Sequence, residues 1–195
     1  MEMRVENVYY KDILPLIPKL AELRIKVFRD YPYLYEGSLE YEKNYLQIYT
    51  KSTQSVIVAV FDGDELVGAA TAIPLRDEAD YIQKPFLKAG MDITEIYYFG
   101  ESVLLKEYRG RGLGHKFFEG RQNAALKFGF QTTCFCAVER IPNHPMKPAN
   151  YGPLDGFWIK RGYKKHNELR SEFSWPDIGE TSETLKPMIY WIKEC

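Results

Sequence analysis

The chain has 195 residues, 45% of them hydrophobic and 27% charged, and its net charge is −1. That length fits one domain spanning 1–195, with a core large enough to need no covalent staple. A charge so close to zero provides no field favouring nucleic acid or an anionic membrane, so neither is expected as a partner.

Three cysteines, Cys134, Cys136 and Cys195, are an odd number without regular spacing, which argues against a disulfide framework. Cys134-x-Cys136 without clustered histidine is a poor zinc signature, and no metal site is expected. The pair reads as two small hydrophobes on one face of a strand. Residues 1–10 carry charges and lack an apolar leader, and no run approaches the ~20 apolar residues of a membrane span. A cytoplasmic chain is therefore expected.

Met3 to Tyr10 alternates weakly and reads as a first strand. Asp12 is a candidate N-cap, with Pro15 in the first turn after it. Leu16, Leu20, Leu23, Val27 and Phe28 recur at helical spacing until Tyr31-Pro32 stops the helix. A second helix fits Leu39 to Tyr49, with Tyr41, Tyr45, Leu46 and Tyr49 on one side. Ser55 to Phe61 and Glu65 to Pro74 flank Asp62-Gly63-Asp64, a strong hairpin signal. Arg76 to Gly90 reads as a short helical insertion, and Ile93 to Leu105 as a long strand. Gly112 to Phe128 is an amphipathic helix closed by Gly129, and Gln131 to Arg140 is another strand. A Pro-, Gly- and Asn-rich loop from Ile141 to Gly156 leads to a short helix, Leu154 to Arg161, closed by Gly162. Tyr163 to Trp175 and Leu185 to Lys193 are the last two strands. This order predicts an α/β chain whose sheet mixes parallel and antiparallel neighbours.

The segment most informative about chemistry is Leu104-Leu105-Lys106-Glu107-Tyr108-Arg109-Gly110-Arg111-Gly112-Leu113-Gly114-His115, which follows a strand and opens a helix. Three glycines in five residues let the backbone turn sharply and aim several amides into one concavity. The helix adds unpaired N–H donors and the positive end of its dipole, while Arg109 and Arg111 add full charges. The product suits a pyrophosphate. There is no Gly-Lys-Ser/Thr ending, so this is not a Walker loop. The spacing is not G-x-G-x-x-G, so a dinucleotide fold is disfavoured.

Arg109-x-x-Gly112-x-Gly114 resembles the R/Q-x-x-G-x-G/A signature of the GNAT superfamily of N-acetyltransferases. Phe157-Trp158-Ile159-Lys160-Arg161-Gly162-Tyr163 is similar to that family's late helix and closing turn. The resemblance implies a mixed, mostly antiparallel sheet of about seven strands, splayed between strands four and five and flanked by about four helices. It implies direct transfer of an acetyl group from acetyl-CoA to a primary amine of a small molecule or a peptide N-terminus. A bulge in the fourth strand is then expected near Ser102 and Val103. Val103, Leu104 and Leu105 would offer backbone to the pantetheine arm, and Arg109, Gly110, Arg111, Gly112, Leu113, Gly114 and His115 would hold the pyrophosphate.

On the same footing Glu101 is the expected base, with Glu95 the second choice. The family's thiolate-protonating tyrosine falls on Trp158, which has no hydroxyl, so Tyr151, or His144, is expected in its place. That departure keeps open a second reading, a non-catalytic acyl-CoA-binding sensor or scaffold. The acceptor site is expected between Tyr31-Pro32-Tyr33-Leu34-Tyr35, beside Glu36, and the stiff loop from Asn143 to Tyr151. Aromatic rings beside a carboxylate suit an ammonium, although an apolar plug at a helix end fits the same residues. Homodimerisation through the last strands is left open.

Overall fold

Asp62-Gly63-Asp64 closes the hairpin its composition predicts. In the computed structural model, which describes residues 3–194, β2 (Val56–Asp62) and β3 (Glu65–Pro74) pair antiparallel across it. Cys195 lies outside the described residues. β1 (Met3–Tyr9), β4 (Ile96–Leu104), β5 (Thr132–Val138), β6 (Lys164–Trp175) and β7 (Thr184–Glu194) complete a seven-stranded sheet in the order β1-β2-β3-β4-β5-β7-β6. Among the described strands only the β4–β5 pair is parallel. The mixed, mostly antiparallel sheet is as expected. Val56 to Phe61 are all buried, which explains why β2 reads as a continuous apolar run rather than an alternation.

Five α-helices cover the sheet: α1 (Ile17–Phe28), α2 (Leu39–Lys51), α3 (Asp80–Lys88), α4 (Leu113–Lys127) and α5 (Asp155–Ile159). Alternation along β4 and β5 separates the two faces. Tyr97, Phe99 and Phe135 meet the rings of α4 and α5, whereas Tyr98 and Cys136 belong with α1, α2 and α3.

Four expectations shift. Tyr10–Leu16 is a 3-10 helix that contains Asp12 and Pro15, and α1 starts at Ile17 with a proline in its first turn, where the missing N–H costs nothing. Ile93–Glu95 is likewise a 3-10 turn capped by Asp92, so Glu95 precedes β4 instead of opening it. Tyr163 precedes β6.

The fourth shift is the bulge. Ala70 pairs with Ser102 and Ala72 with Phe99, so Thr71 faces both Gly100 and Glu101. Ser102 and Val103, where the bulge was expected, sit in regular register with Ala70 and Ala69. The physical reason is space. A Cβ on Gly100 would strike the Tyr49 hydroxyl and lie 2.6 Å from Thr71 Oγ1, so the extra residue falls where no side chain stands.

Candidate active site

β4 and β5 stay together over three residue pairs, Ile96–Thr132, Tyr97–Thr133 and Tyr98–Cys134, and then part. Beyond Tyr98 the strand carries the bulge and Glu101, and it runs on into the glycine loop. Leu105 N donates to Val67 O at 3.0 Å, so that amide belongs to the sheet. The Leu104 carbonyl instead accepts from Arg109 Nε at 3.2 Å. The side chains of Val103, Leu105 and Leu113 are core.

Gly110 and Gly112 have φ of 77° and 78°, in the left-handed region that an L side chain resists. Gly112 is the N-cap of α4, no side chain caps that end, and no acidic residue lies in the first turn. His115 N donates to Gly112 O at 3.0 Å, while the amides of Leu113 and Gly114 precede the first i to i−4 bond of the helix. Arg109 reaches Asp30 at 3.2 Å, and Arg111 donates to Glu107 O at 3.0 Å while its guanidinium lies 5.1 Å from the Tyr108 ring centre. His115 contacts Arg161, whose guanidinium stacks on Phe157 at 3.3 Å from the ring centre. A cavity of about 260 Å³ opens here, lined by His115, Glu119, Arg161 and Lys193 among others.

On the opposite face lies a buried polar cluster. Arg24 of α1 binds Glu101 Oε2 at 2.8 Å and also pairs with Glu42 of α2. Burial alone would lower the Arg24 pKa, but the charges of Glu101 and then Glu42 reverse that and hold it well above its usual value. Thr71 Oγ1 donates to the Tyr49 hydroxyl at 2.8 Å, Tyr49 reaches Glu101 Oε2 at 3.5 Å, and Glu101 N donates to Thr71 Oγ1 at 3.1 Å. From the other face Arg121 of α4 reaches the Glu101 carbonyl at 3.3 Å and the Thr71 carbonyl at 3.5 Å. Burial lowers its pKa to about 10, and its guanidinium lies 4.4 Å from the Phe99 ring centre. The bulge is thus held by charged groups from both faces. The free Oε1 atoms of Glu42, Glu78 and Glu101 are buried without a partner.

Glu101 is therefore at the parting strands, whereas Glu95 is exposed and outside β4. Tyr151 packs edge-on against Tyr31 with centroids 4.7 Å apart, and His144 lies 5.7 Å from the same ring. The loop after α1 and the proline-rich loop do meet. Burial raises the Tyr151 pKa. Trp158 is wedged against Phe135 and Trp191, at 5.0 and 5.1 Å.

Arg24, Glu42, Glu78 and Arg121 escaped the sequence reading. Arg24 lies four residues after Leu20 and four before Phe28, and Glu42 four before Leu46, so a charge on an apolar stripe was the available signal. Glu78 carries no such mark. Among the described residues no group of three or more His, Cys, Asp or Glu side chains could hold a metal ion, and no helix is long and apolar enough to cross a membrane.

No family model matches the sequence, and no curated protein matches it. Solved structures do. A ribosomal-protein-alanine N-acetyltransferase from Brucella melitensis superposes with a TM-score of 0.61 at 11% identity, over 100% of both chains. A GCN5-related N-acetyltransferase from Kribbella flavida gives 0.58 at 16% identity, over 99% of this chain and 98% of that one. The PaiA N-acetyltransferase of Thermoplasma acidophilum, solved in complex with coenzyme A, gives 0.57 at 12% identity over 100% of both. Over its whole length, then, the chain has the fold of the GNAT acetyltransferases.

Proposed function

We propose that this chain transfers an acetyl group from acetyl-CoA directly to a primary amine, on a small molecule or a peptide N-terminus. The observation that carries the reading is the parting of β4 from β5 next to a left-handed glycine turn at a helix N-terminus. An extended slot ending in aimed amides suits a pantetheine arm ending in a pyrophosphate. The slot takes its backbone contact from Leu104, because Leu105 N already donates to Val67 O, Leu105 O accepts from Tyr108 N, and Val103 is paired with Ala69. Residues 109–115 hold the pyrophosphate, and Arg161 and Lys193 add positive charge towards the nucleotide end. The coenzyme A bound in the Thermoplasma structure supports this cofactor.

A free amine is needed for attack, and with a pKa near 10.4 under ~0.1% of a lysine-like amine is free at neutral pH. Glu101 meets the acceptor at the gap. Arg24 occupies its Oε2, and its Oε1 is the atom that takes the amine's proton as general base. Tyr151 protonates the leaving thiolate. The sensor reading draws on Trp158, which packs against the core where a hydroxyl is expected.

The test is thiol release from acetyl-CoA against a panel of amines, beside direct titration with coenzyme A. Turnover on one acceptor class, falling at least ~10²-fold in Glu101→Gln, is the expected result. Coenzyme A binding without turnover on any amine would establish the sensor instead.

A further inference from the structure

The Arg109 guanidinium is held at two points. Its Nε donates to the Leu104 carbonyl at 3.2 Å, and its Nη2 donates to Asp30 Oδ2 at 3.2 Å. Leu105 is the residue that bonds Val67, so Leu104 turns its N–H and C=O away from β3, towards the gap beside β5. The backbone acceptor that the slot has to offer is therefore already covered, and the group covering it is tied to Asp30.

Asp30 ends α1, and its carbonyl accepts from the backbone N–H of Tyr33 and of Leu34, both at 3.1 Å. The next residue, Tyr31, packs edge-on against Tyr151 and beside His144. Past Tyr31 the loop is pinned. Arg140 donates to the Pro32 carbonyl at 2.7 Å and the Tyr33 carbonyl at 2.6 Å, and pairs with Asp177. Trp175 Nε1 donates to Tyr33 O at 3.0 Å, and Tyr35 bridges to Asp177. The Asp30 side chain, by contrast, is half exposed, and among the described residues Arg109 is its one ion-pair partner. One pair of charges thus joins the glycine loop to the free end of the loop that carries Tyr31.

We propose that Asp30 holds Arg109 across the slot until coenzyme A arrives, and that the pyrophosphate then takes Arg109 over, uncovering the Leu104 carbonyl and releasing Asp30 and Tyr31. The inference rests on the coenzyme A reading of the slot. Nε and Nη2 are parallel donors on one edge of the guanidinium, so a phosphate that takes both displaces Leu104 O and Asp30 together. The exchange costs little, because an exposed ion pair is weak and screened by salt. Asp30 is a positioning residue: it acts on the cofactor through Arg109 alone. The coupling is reciprocal, so loosening Asp30 from Arg109 tightens the cofactor by the same factor.

The experiment is a calorimetric titration of coenzyme A into the parent chain, Asp30→Asn, Arg109→Ala and the double variant, at low and high salt. Asp30→Asn is expected to bind coenzyme A about two- to fivefold more tightly at low salt, the range an exposed pair allows. The gain should fade as salt rises and vanish in the Arg109→Ala background, where no pair is left to break. In tyrosine-labelled protein, coenzyme A should shift the Tyr31 and Tyr151 ring signals, and Asp30→Asn should shift them the same way without cofactor. Pantetheine, which has no pyrophosphate, should leave them in place. Equal or weaker binding by Asp30→Asn, or a gain that persists in Arg109→Ala, would overturn the proposal. So would Tyr31 and Tyr151 signals that ignore coenzyme A. Coenzyme A that binds without these effects removes this inference alone, whereas no binding to the parent or any variant removes the cofactor reading with it.

Discussion

The two faces of the sheet handle charge in opposite ways. On the α4–α5 face the cations of the glycine loop are exposed and loosely paired: Arg109 meets Asp30 at 3.2 Å with about half of each side chain in water. On the α1–α3 face Arg24, Glu42, Glu78 and Glu101 are all under a tenth exposed, and the carboxylates outnumber the guanidinium. Exposed charges are screened and contribute little to folding, so they remain available to a ligand. Buried charges cannot be changed without changing stability. One face therefore should register mutations in affinity, the other in folding and pH dependence.

Arg24→Met is the strongest attempt to break that contrast. It leaves Glu42 and Glu101 buried without their ion-pair partner, and should cost about 3–5 kcal/mol in urea denaturation. A loss below ~1 kcal/mol would show that the cluster is wetter than its burial implies. Glu78→Gln should act in the other direction. The folded-state pKa, about 7, is raised by burial above the unfolded carboxylate value near 4.3. A raised group contributes stability that is complete below the unfolded value and is lost as pH climbs through the folded one. The parent chain should therefore lose on the order of 3 kcal/mol between about pH 4.5 and pH 8 through this residue. Glu78→Gln should be the more stable protein at pH 8, with the gap closing towards pH 5. A constant difference across that range would remove Glu78 from the titration.

The same contrast explains what the sequence could disclose. The loop face was legible because its turn and charges are local. Arg109-x-x-Gly112-x-Gly114 carries its turn and charges within one short stretch, and Gly110 and Gly112 do adopt positive φ. The strand order was legible too, because hairpin residues and apolar runs are local signals. The acidic face was not. Arg24, Glu42, Glu78 and Glu101 come from four separate segments, and only the fold brings them together. The bulge was misplaced by two residues for a related reason: its position depends on Tyr49 and Thr71 approaching Gly100, contacts remote in sequence.

The mildest perturbation sharpens the comparison most. Arg109→Ala removes an exposed pair with Asp30 and the donor to Leu104 O. An exposed pair is worth about 0–1 kcal/mol, so the urea midpoint should barely move. Coenzyme A affinity should nevertheless fall, by about tenfold at low salt, because the lost charge belongs to the proposed pyrophosphate loop and not to the core. The deficit should shrink as ionic strength rises, since screening weakens the parent's advantage. That pattern, with affinity lost and folding retained, is the reverse of the one expected for Arg24→Met. If Arg109→Ala instead destabilises the fold by several kcal/mol with affinity unchanged, the loop is a structural turn, and the division of labour between the faces is wrong.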